Sequence, residues 1–287
     1  MGKTSLTAAM ARAAHAARRR VLVGEVAPDL HSPSTLLGYF GQPRPKGEEP
    51  VELARGLYGV RLSPAIGHRL FLRNALKVRI LVDAAMRSAA LTRFLMAAPT
   101  FPEIGTLYQL VWLLRLQTYD HFILDLPATG HAVGLAALPR TVVRIVPTGL
   151  IGDTINEGLR LLNDPAHTGA VVATLPEAMP VTETLELIAA LREQKIAVRA
   201  AILNQLPPDP FSALERGSLR AYVDRERPPL LGVRELRRLE RALEARDAFR
   251  AQIPDAIPRL ELPIFEGASG LDLINRLAEA LQARSAA

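Results

Sequence analysis

The chain opens Met1-Gly2-Lys3-Thr4-Ser5 and runs directly into the helix-forming segment Leu6 to Ala17. Gly-Lys-Thr ahead of a helix is the second half of a phosphate-binding loop, G-x-x-x-x-G-K-[ST]. In that loop backbone N–H groups cradle the phosphates, the lysine neutralises them and the threonine hydroxyl helps to hold magnesium. The positive N-terminal end of the following helix faces the same anion. On this reading Gly2, Lys3, Thr4 and Ser5 bind nucleotide, and Thr4 also serves the metal. The tripeptide recurs by chance, so the rest of the chain has to decide. The glycine-rich half of the motif and the strand that feeds it would precede Met1. The expectation is a natural protein with an upstream strand, whose absence would leave parallel neighbours unpaired.

Outward from the loop, helices and short apolar strands alternate. Arg20 to Val26 reads as a buried strand, Ala27 to Pro50 as loop with a short helical piece over Ser34 to Phe40, and Gly56 to Ser63 as a second strand. Ala65 to Pro99 reads as helical. Thr100-Phe101-Pro102-Glu103 then matches a capping box that opens a further helix. His121 to Leu126, Gly169 to Leu175, Ile196 to Leu203 and Arg259 to Ile264 read as strands. Helices are expected over Val142 to Leu162, Thr182 to Gln194, around Leu236, Leu239 and Leu243, and over Leu271 to Ala283, with Pro207 to Pro229 irregular. Such alternation specifies an α/β fold: a mostly parallel central sheet covered by helices on both faces, the architecture of phosphate-loop NTPases. Residues 1–287 are expected to form one such domain, with 65–115 as a helical insertion within it. Ligands of these sheets bind at the carboxyl ends of the strands, where Glu25, Asp125 and Asn204 fall.

Composition narrows the function classes. With 49% hydrophobic residues and mean hydropathy +0.13 the chain is not broadly disordered. Its lack of cysteine excludes disulfides, thiolate zinc sites and cysteine nucleophiles, and suits a reducing cytoplasm. There is no secretory signal and no apolar run near the ~20 residues of a membrane span, which predicts a soluble cytoplasmic protein without stable membrane insertion. The net charge of +6 is carried almost wholly by arginine. Its densest segment, Arg216 to Arg250, is interleaved with acids from Glu215 to Asp247, so its field largely cancels and nucleic acid is not the expected partner.

Asp125 ends an apolar strand. In phosphate-loop NTPases an acid at the tip of a neighbouring strand serves the magnesium, against the plainer reading of a helix cap. The residues after it, Leu126-Pro127-Ala128-Thr129-Gly130-His131, have the form of a switch loop that senses the γ-phosphate. Asp125 to His131, continuing through Ala132 to Pro139, resembles the signature of ArsA-type ATPases, Asp-x-x-x-Thr-Gly-His followed by an apolar helix ending in Leu-Pro. That family includes the arsenite-pump ATPase and the cytosolic ATPases that deliver tail-anchored membrane proteins. Leu175 to Leu187, Ile202 to Gln205, and Leu262-Pro263 with Glu266 and Gly270 resemble further blocks of the family in the expected order.

The resemblance implies ATP and Mg2+ bound at a dimer interface. Asn204 would read adenine, Thr4 and Asp125 would serve the metal, and Asp125, Thr129, Gly130 and His131 would form the switch. The partner would be a second copy or a paralogous ATPase, with possible protein cargo on the helical region. Three departures qualify it. Only the end of the family's Lys-Gly-Gly-x-Gly-Lys-Thr loop is present. Ala27-Pro28 stands where the family carries Asp-Pro, whose aspartate positions the attacking water; Glu25 and Asp29 flank it without matching the pattern. No cysteine is available for a zinc-clamped dimer or for arsenite. These departures predict weak hydrolysis by the chain as given. A catalytically impaired nucleotide-binding partner of a paralogue, or a ParA/MinD-like positioning ATPase, are the alternatives. The last helix lacks the amphipathic tail that a membrane-positioning role would need.

Overall fold

The computed structural model describes residues 2–27, 31–45, 48–76, 101–126, 149–226 and 232–285. In chain order they form α1 (Lys3–Ala16), β1 (Val21–Val26), α2 (Thr35–Gly38), β2 (Val51–Ala54), β3 (Leu57–Leu62), α3 (Pro64–Leu76), α4 (Phe101–Arg115), β4 (His121–Asp125), α5 (Gly149–Asn163), β5 (Ala170–Thr174), α6 (Ala178–Glu193), β6 (Val198–Leu206), α7 (Ala213–Glu226), α8 (Gly232–Gln252), β7 (Arg259–Pro263) and α9 (Gly270–Ser285). Four of the five strand pairings are parallel. This is the α/β class read from the sequence, consistent with a phosphate-loop NTPase. The pairings group the strands into two sheets, β2-β3-β1-β4 and β5-β6-β7. The chain divides into two compact units: a larger one of residues 3–169, 190–197 and 268–287, and a smaller one of 170–189 and 198–267 together with the first two residues.

In the larger unit β1 lies between β3 and β4, and Val21, Leu22 and Val23 are fully buried. Successive side chains of a strand point to opposite faces. On one face Leu22 packs with Val60, Leu62 and Leu113 of α4, ringed by Tyr58, Leu110, Trp112, Phe122 and Leu124. The other face carries Val21, Val23 and Glu25, and α1 packs on β1 and β4. α1 is alanine-rich because it is covered twice. Leu6, Ala8, Ala9 and Ala11 are buried, and α9 packs along it, with Arg12 Nε donating to Asn275 Oδ1 at 3.1 Å.

α3 and α4 are the described parts of the helical region expected over 65–115. They cross through glycines: a Cβ added at Gly67 would stand 1.7 Å from the Gly105 carbonyl oxygen. Phe71 meets Tyr108 edge-on at 5.6 Å, and Asn74 Nδ2 donates to the Tyr108 hydroxyl at 2.7 Å. Gln109, fully buried on α4, donates to the Arg61 carbonyl at 3.0 Å and accepts from Ser63 N at 2.9 Å, which fixes the end of β3. α5 closes over α4 through Ile155, packed with Leu107 and Val111.

In the smaller unit the parallel sheet β5-β6-β7 carries α8, whose buried stripe is Leu239, Ala242, Leu243, Ala245 and Phe249. Two elements differ from the sequence reading. β2 pairs antiparallel to β3 with a register irregularity between Glu52 and Ala54, and four residues are too few to show alternation. α7 occupies a stretch read as irregular, and it is largely exposed, so no apolar stripe announces it. Its signal is local: Ser212 and Glu215 form a reciprocal capping box, Ser212 N donating to Glu215 Oε2 at 2.8 Å and Glu215 N to Ser212 Oγ at 3.3 Å. α6 also begins four residues earlier than expected, at Ala178, and β6 runs on through Asn204 and Gln205 to Leu206. The capping residue Thr100 and the segment 142–148 lie outside the described residues.

Candidate functional site

At the carboxyl end of the larger unit's parallel strands, register builds a row of charge. Arg61 of β3 stands opposite Glu25 of β1, and Glu25 opposite Asp125 of β4. Adjacent strands are about 4.8 Å apart, so these three side chains are neighbours on one face. Arg61 Nε donates to Glu25 Oε1 at 3.0 Å and its Nη1 to the Ser32 carbonyl at 2.9 Å, while Leu36 N donates to Glu25 Oε2 at 3.3 Å. The pair is 8% and 13% exposed. Both Glu25 oxygens are therefore committed, one to Arg61 and one to the start of α2.

Asp125 meets the first turns of α1. Burial is the largest influence on its carboxyl and raises it above the usual carboxylate range. A hydrogen bond from Thr4, the Lys3 ammonium and a hydrogen bond from Thr7 pull the other way, and the nearby Glu25 adds to the rise. Lys3, Thr4 and Asp125 are thus brought close to one another, 122 residues apart at the extremes. Thr4 and Asp125 offer hard oxygen donors at a helix N-terminus. That suits magnesium, which takes one or two protein carboxylates and completes its shell with water and phosphate oxygens. Ser5 Oγ lies 2.8 Å from the Tyr39 hydroxyl, beside this cluster but turned to α2.

In the smaller unit Gly2 packs against the end of β6. Its φ is +72°, and a Cβ there would come 2.8 Å from Asn204 Nδ2. Only glycine suits both demands. Asn204 is buried, and Gln205 beside it takes a left-handed φ of +60°, where the β6–β7 register shifts between Leu203 and Leu206. Residues at and after the ends of β5, β6 and β7, among them Pro176, Gln205, Pro207 and Ile264, open onto a cavity of about 1330 Å³ that Phe211 and Tyr222 also line. Thr129, Gly130 and His131 of the expected switch, and Asp29, lie outside the described residues. Ala27 is buried, its N donating to the Leu62 carbonyl at 2.8 Å, so it extends the β1–β3 ladder by one step.

Sequence reasoning missed three contributors: Arg61, Gln109 and Thr7. Arg61 and Gln109 gave no signal short of the strand register. Thr7 did, because a hydroxyl one helical turn after Thr4 falls on the same face of α1.

A family model described as anion-transporting ATPase matches residues 1–149. The match takes in Gly2, Lys3, Thr4, Ser5 and Asp125, and ends before Asn204. ATPase BagA of Mycobacterium tuberculosis (strain ATCC 25618 / H37Rv) is 27% identical over 185 residues, covering 58% of this chain and 54% of the relative. A Mycobacterium bovis protein named "Putative ATPase Mb3704" matches with the same identity and coverage. The chain spans about half the length of the curated relatives it matches. With the family model covering just over half of the residues, on a chain of α/β fold, the chain belongs to the anion-transporting ATPase family.

Proposed function

We propose that the protein binds Mg-ATP at a dimer interface and couples nucleotide state to a helical cargo- or partner-binding region over 65–115, within a single ATPase domain of residues 1–287. The observation that carries this reading is the convergence of Lys3, Thr4 and Asp125 at the N-terminus of α1. Lys3 neutralises phosphate charge, Thr4 and Asp125 hold Mg2+, and Asn204 reads adenine, with Gly2 and Ser5 completing the loop. Bound magnesium supplies charge neutralisation at the β- and γ-phosphates. Thr129, Gly130 and His131, following Asp125, relay the state of the γ-phosphate to the helices. The partner is a second copy or a paralogous ATPase in the cytoplasm, with protein as a candidate cargo.

A second reading is favoured by a specific observation: the chain is a nucleotide-dependent partner that turns ATP over poorly. Ala27 offers no group to orient water. Neighbouring Glu25 is a poor substitute, since both its oxygens are already hydrogen-bonded. Titration with fluorescent ATP, with Mg2+ and with EDTA, followed by steady-state phosphate release, tests both readings. The expected result is magnesium-dependent binding with slow release. Rapid turnover by the isolated chain would refute the impaired reading, and failure to bind ATP in either buffer would refute both.

A further inference from the structure

The first turn of α1 is held from outside by α2. Ser5 Oγ and the Tyr39 hydroxyl stand 2.8 Å apart, the usual O–H···O separation, across 34 residues of sequence. Tyr39 closes α2, its backbone N–H donating to the Leu36 carbonyl at 3.3 Å. α2 itself is firmly seated. Leu36 and Leu37 are fully buried, and a Cβ added at Gly59 of β3 would come 2.5 Å from Leu37 Cδ2. Its start is capped by Ser34, whose Oγ accepts from Leu37 N at 2.9 Å, and tied to β1 by the bond from Leu36 N to Glu25 at 3.3 Å. A well-anchored element therefore presents the Tyr39 phenol to Ser5. The phosphate-loop motif does not call for that tyrosine, and the binding roles proposed above make no use of it.

Each hydroxyl has one proton to donate and two lone pairs with which to accept. Only one proton can lie between the two oxygens, so the other hydroxyl keeps its proton for a further partner. A phenol is more acidic than an aliphatic alcohol and is the stronger donor. An anion beside Ser5 also claims the serine proton, because phosphate oxygens only accept. Both effects set one direction: Tyr39 donates to Ser5, and Ser5 donates to phosphate. Hydrogen bonds in such a chain strengthen one another by polarisation. Without the phenol the serine hydroxyl turns freely; with it, a lone pair is committed to Tyr39 and the proton points elsewhere. We infer that Tyr39 is a positioning residue for the nucleotide phosphates, its hydroxyl orienting and polarising that of Ser5. The inference rests on the Mg-ATP reading of the loop and adds to it a residue outside the motif.

The test is a fluorescent-ATP titration, with Mg2+ and in EDTA, of the full chain and of Tyr39→Phe, which keeps the ring and removes only the hydroxyl. Loss of one neutral hydrogen bond corresponds to about a 2–10-fold loss of affinity. That loss is expected equally in both buffers, because Ser5 serves the phosphates and not the metal. Ser5→Ala alone is expected to lose at least as much. In the Ser5→Ala background Tyr39→Phe is expected to add nothing, because it acts through that hydroxyl. A purely structural role for Tyr39 would weaken binding whether or not Ser5 carries its hydroxyl, so losses that multiply in the double variant overturn the inference. Parent-like affinity of Tyr39→Phe in both buffers overturns it too, as does a loss confined to the magnesium buffer. If Tyr39→Phe does not fold, Ser5→Ala decides, and unchanged affinity in that variant overturns the inference. A parent chain that binds ATP in neither buffer overturns the Mg-ATP reading itself, an outcome distinct from any failure of Tyr39.

Discussion

Removal of the Arg61 guanidinium by Arg61→Met is the sharpest perturbation of the charged row. Methionine fills the space along β3 but takes away the partner of Glu25, which is only 13% exposed. The 3.0 Å bond to Glu25 Oε1 and the 2.9 Å bond to the Ser32 carbonyl go with it. Breaking a buried ion pair from one side costs about 3–5 kcal/mol, because the surviving charge stays desolvated. Trp112 is the only tryptophan and packs around the cluster of Leu22, Val60, Leu62 and Leu113, so its fluorescence follows the larger unit during urea unfolding. At a slope of about 2 kcal/mol/M the midpoint falls by roughly 2 M, with the slope unchanged. Glu25→Gln added to Arg61→Met restores most of the loss, since the amide carbonyl still accepts from Leu36 N and no charge is stranded. A midpoint shift under about 0.5 M, or a double variant no better than Arg61→Met, would refute the view that Glu25 depends on Arg61 for its burial.

Asp125→Asn has opposite effects on stability and binding. Because burial raises the Asp125 carboxyl, the folded state holds that proton more tightly than the unfolded chain, and the residue's stabilising contribution is lost as pH rises through the raised value. The variant should therefore be more stable than the parent at neutral pH, and no more stable below the usual carboxylate range, while losing magnesium-dependent nucleotide binding. Urea midpoints across a pH series check this, and destabilisation at neutral pH would contradict it. Gly67→Ala places a methyl group 1.7 Å from the Gly105 carbonyl oxygen, a contact that only separation of α3 and α4 relieves. Overpacking of this kind against backbone should cost at least the usual 1–3 kcal/mol, about a 0.5–1.5 M fall in the Trp112 midpoint. A neutral outcome would mean that the two helices do not cross at these glycines.

Much of the fold was legible because its signals are local. β1, β3, β4, β5 and β7 are short apolar runs flanked by polar or turn residues, and each was read within one or two residues of its observed bounds. The exceptions show where such signals fail. β2 is held by its ladder to β3 rather than by its own pattern, and α7 is a capped but mostly exposed helix whose leucines do not form a stripe. The capping box of Ser212 and Glu215 stands in the sequence among prolines, which gave the stretch its irregular reading. The candidate site divides the same way. Gly2, Lys3, Thr4 and Asp125 sit on motifs. The residues that tune them, Arg61, Glu25 and Thr7, act through contacts that no motif encodes.

Those contacts depend on one fact of register. Val21 pairs with His121, and every later pair follows from it through Glu25 with Asp125. Because side chains alternate along a strand, sliding β4 by a single residue would turn Asp125 toward Leu22, Leu62 and Leu113 and away from Lys3, Thr4 and Thr7. What holds the register is the apolar face: Phe122 and Leu124 pack around the Leu22 cluster beneath α4, and a slip would expose them to the charged row instead. At the far end Arg20 N donates to Asp120 Oδ2 at 2.7 Å and Asp120 N to the Arg20 carbonyl at 2.8 Å, which pins the same alignment before the first strand pair. The carboxylate beside Lys3 and Thr4 is thus aimed by hydrophobic packing on the opposite face of the sheet. Substitutions at Phe122 or Leu124, neither of which touches the site, should weaken magnesium-dependent nucleotide binding together with stability.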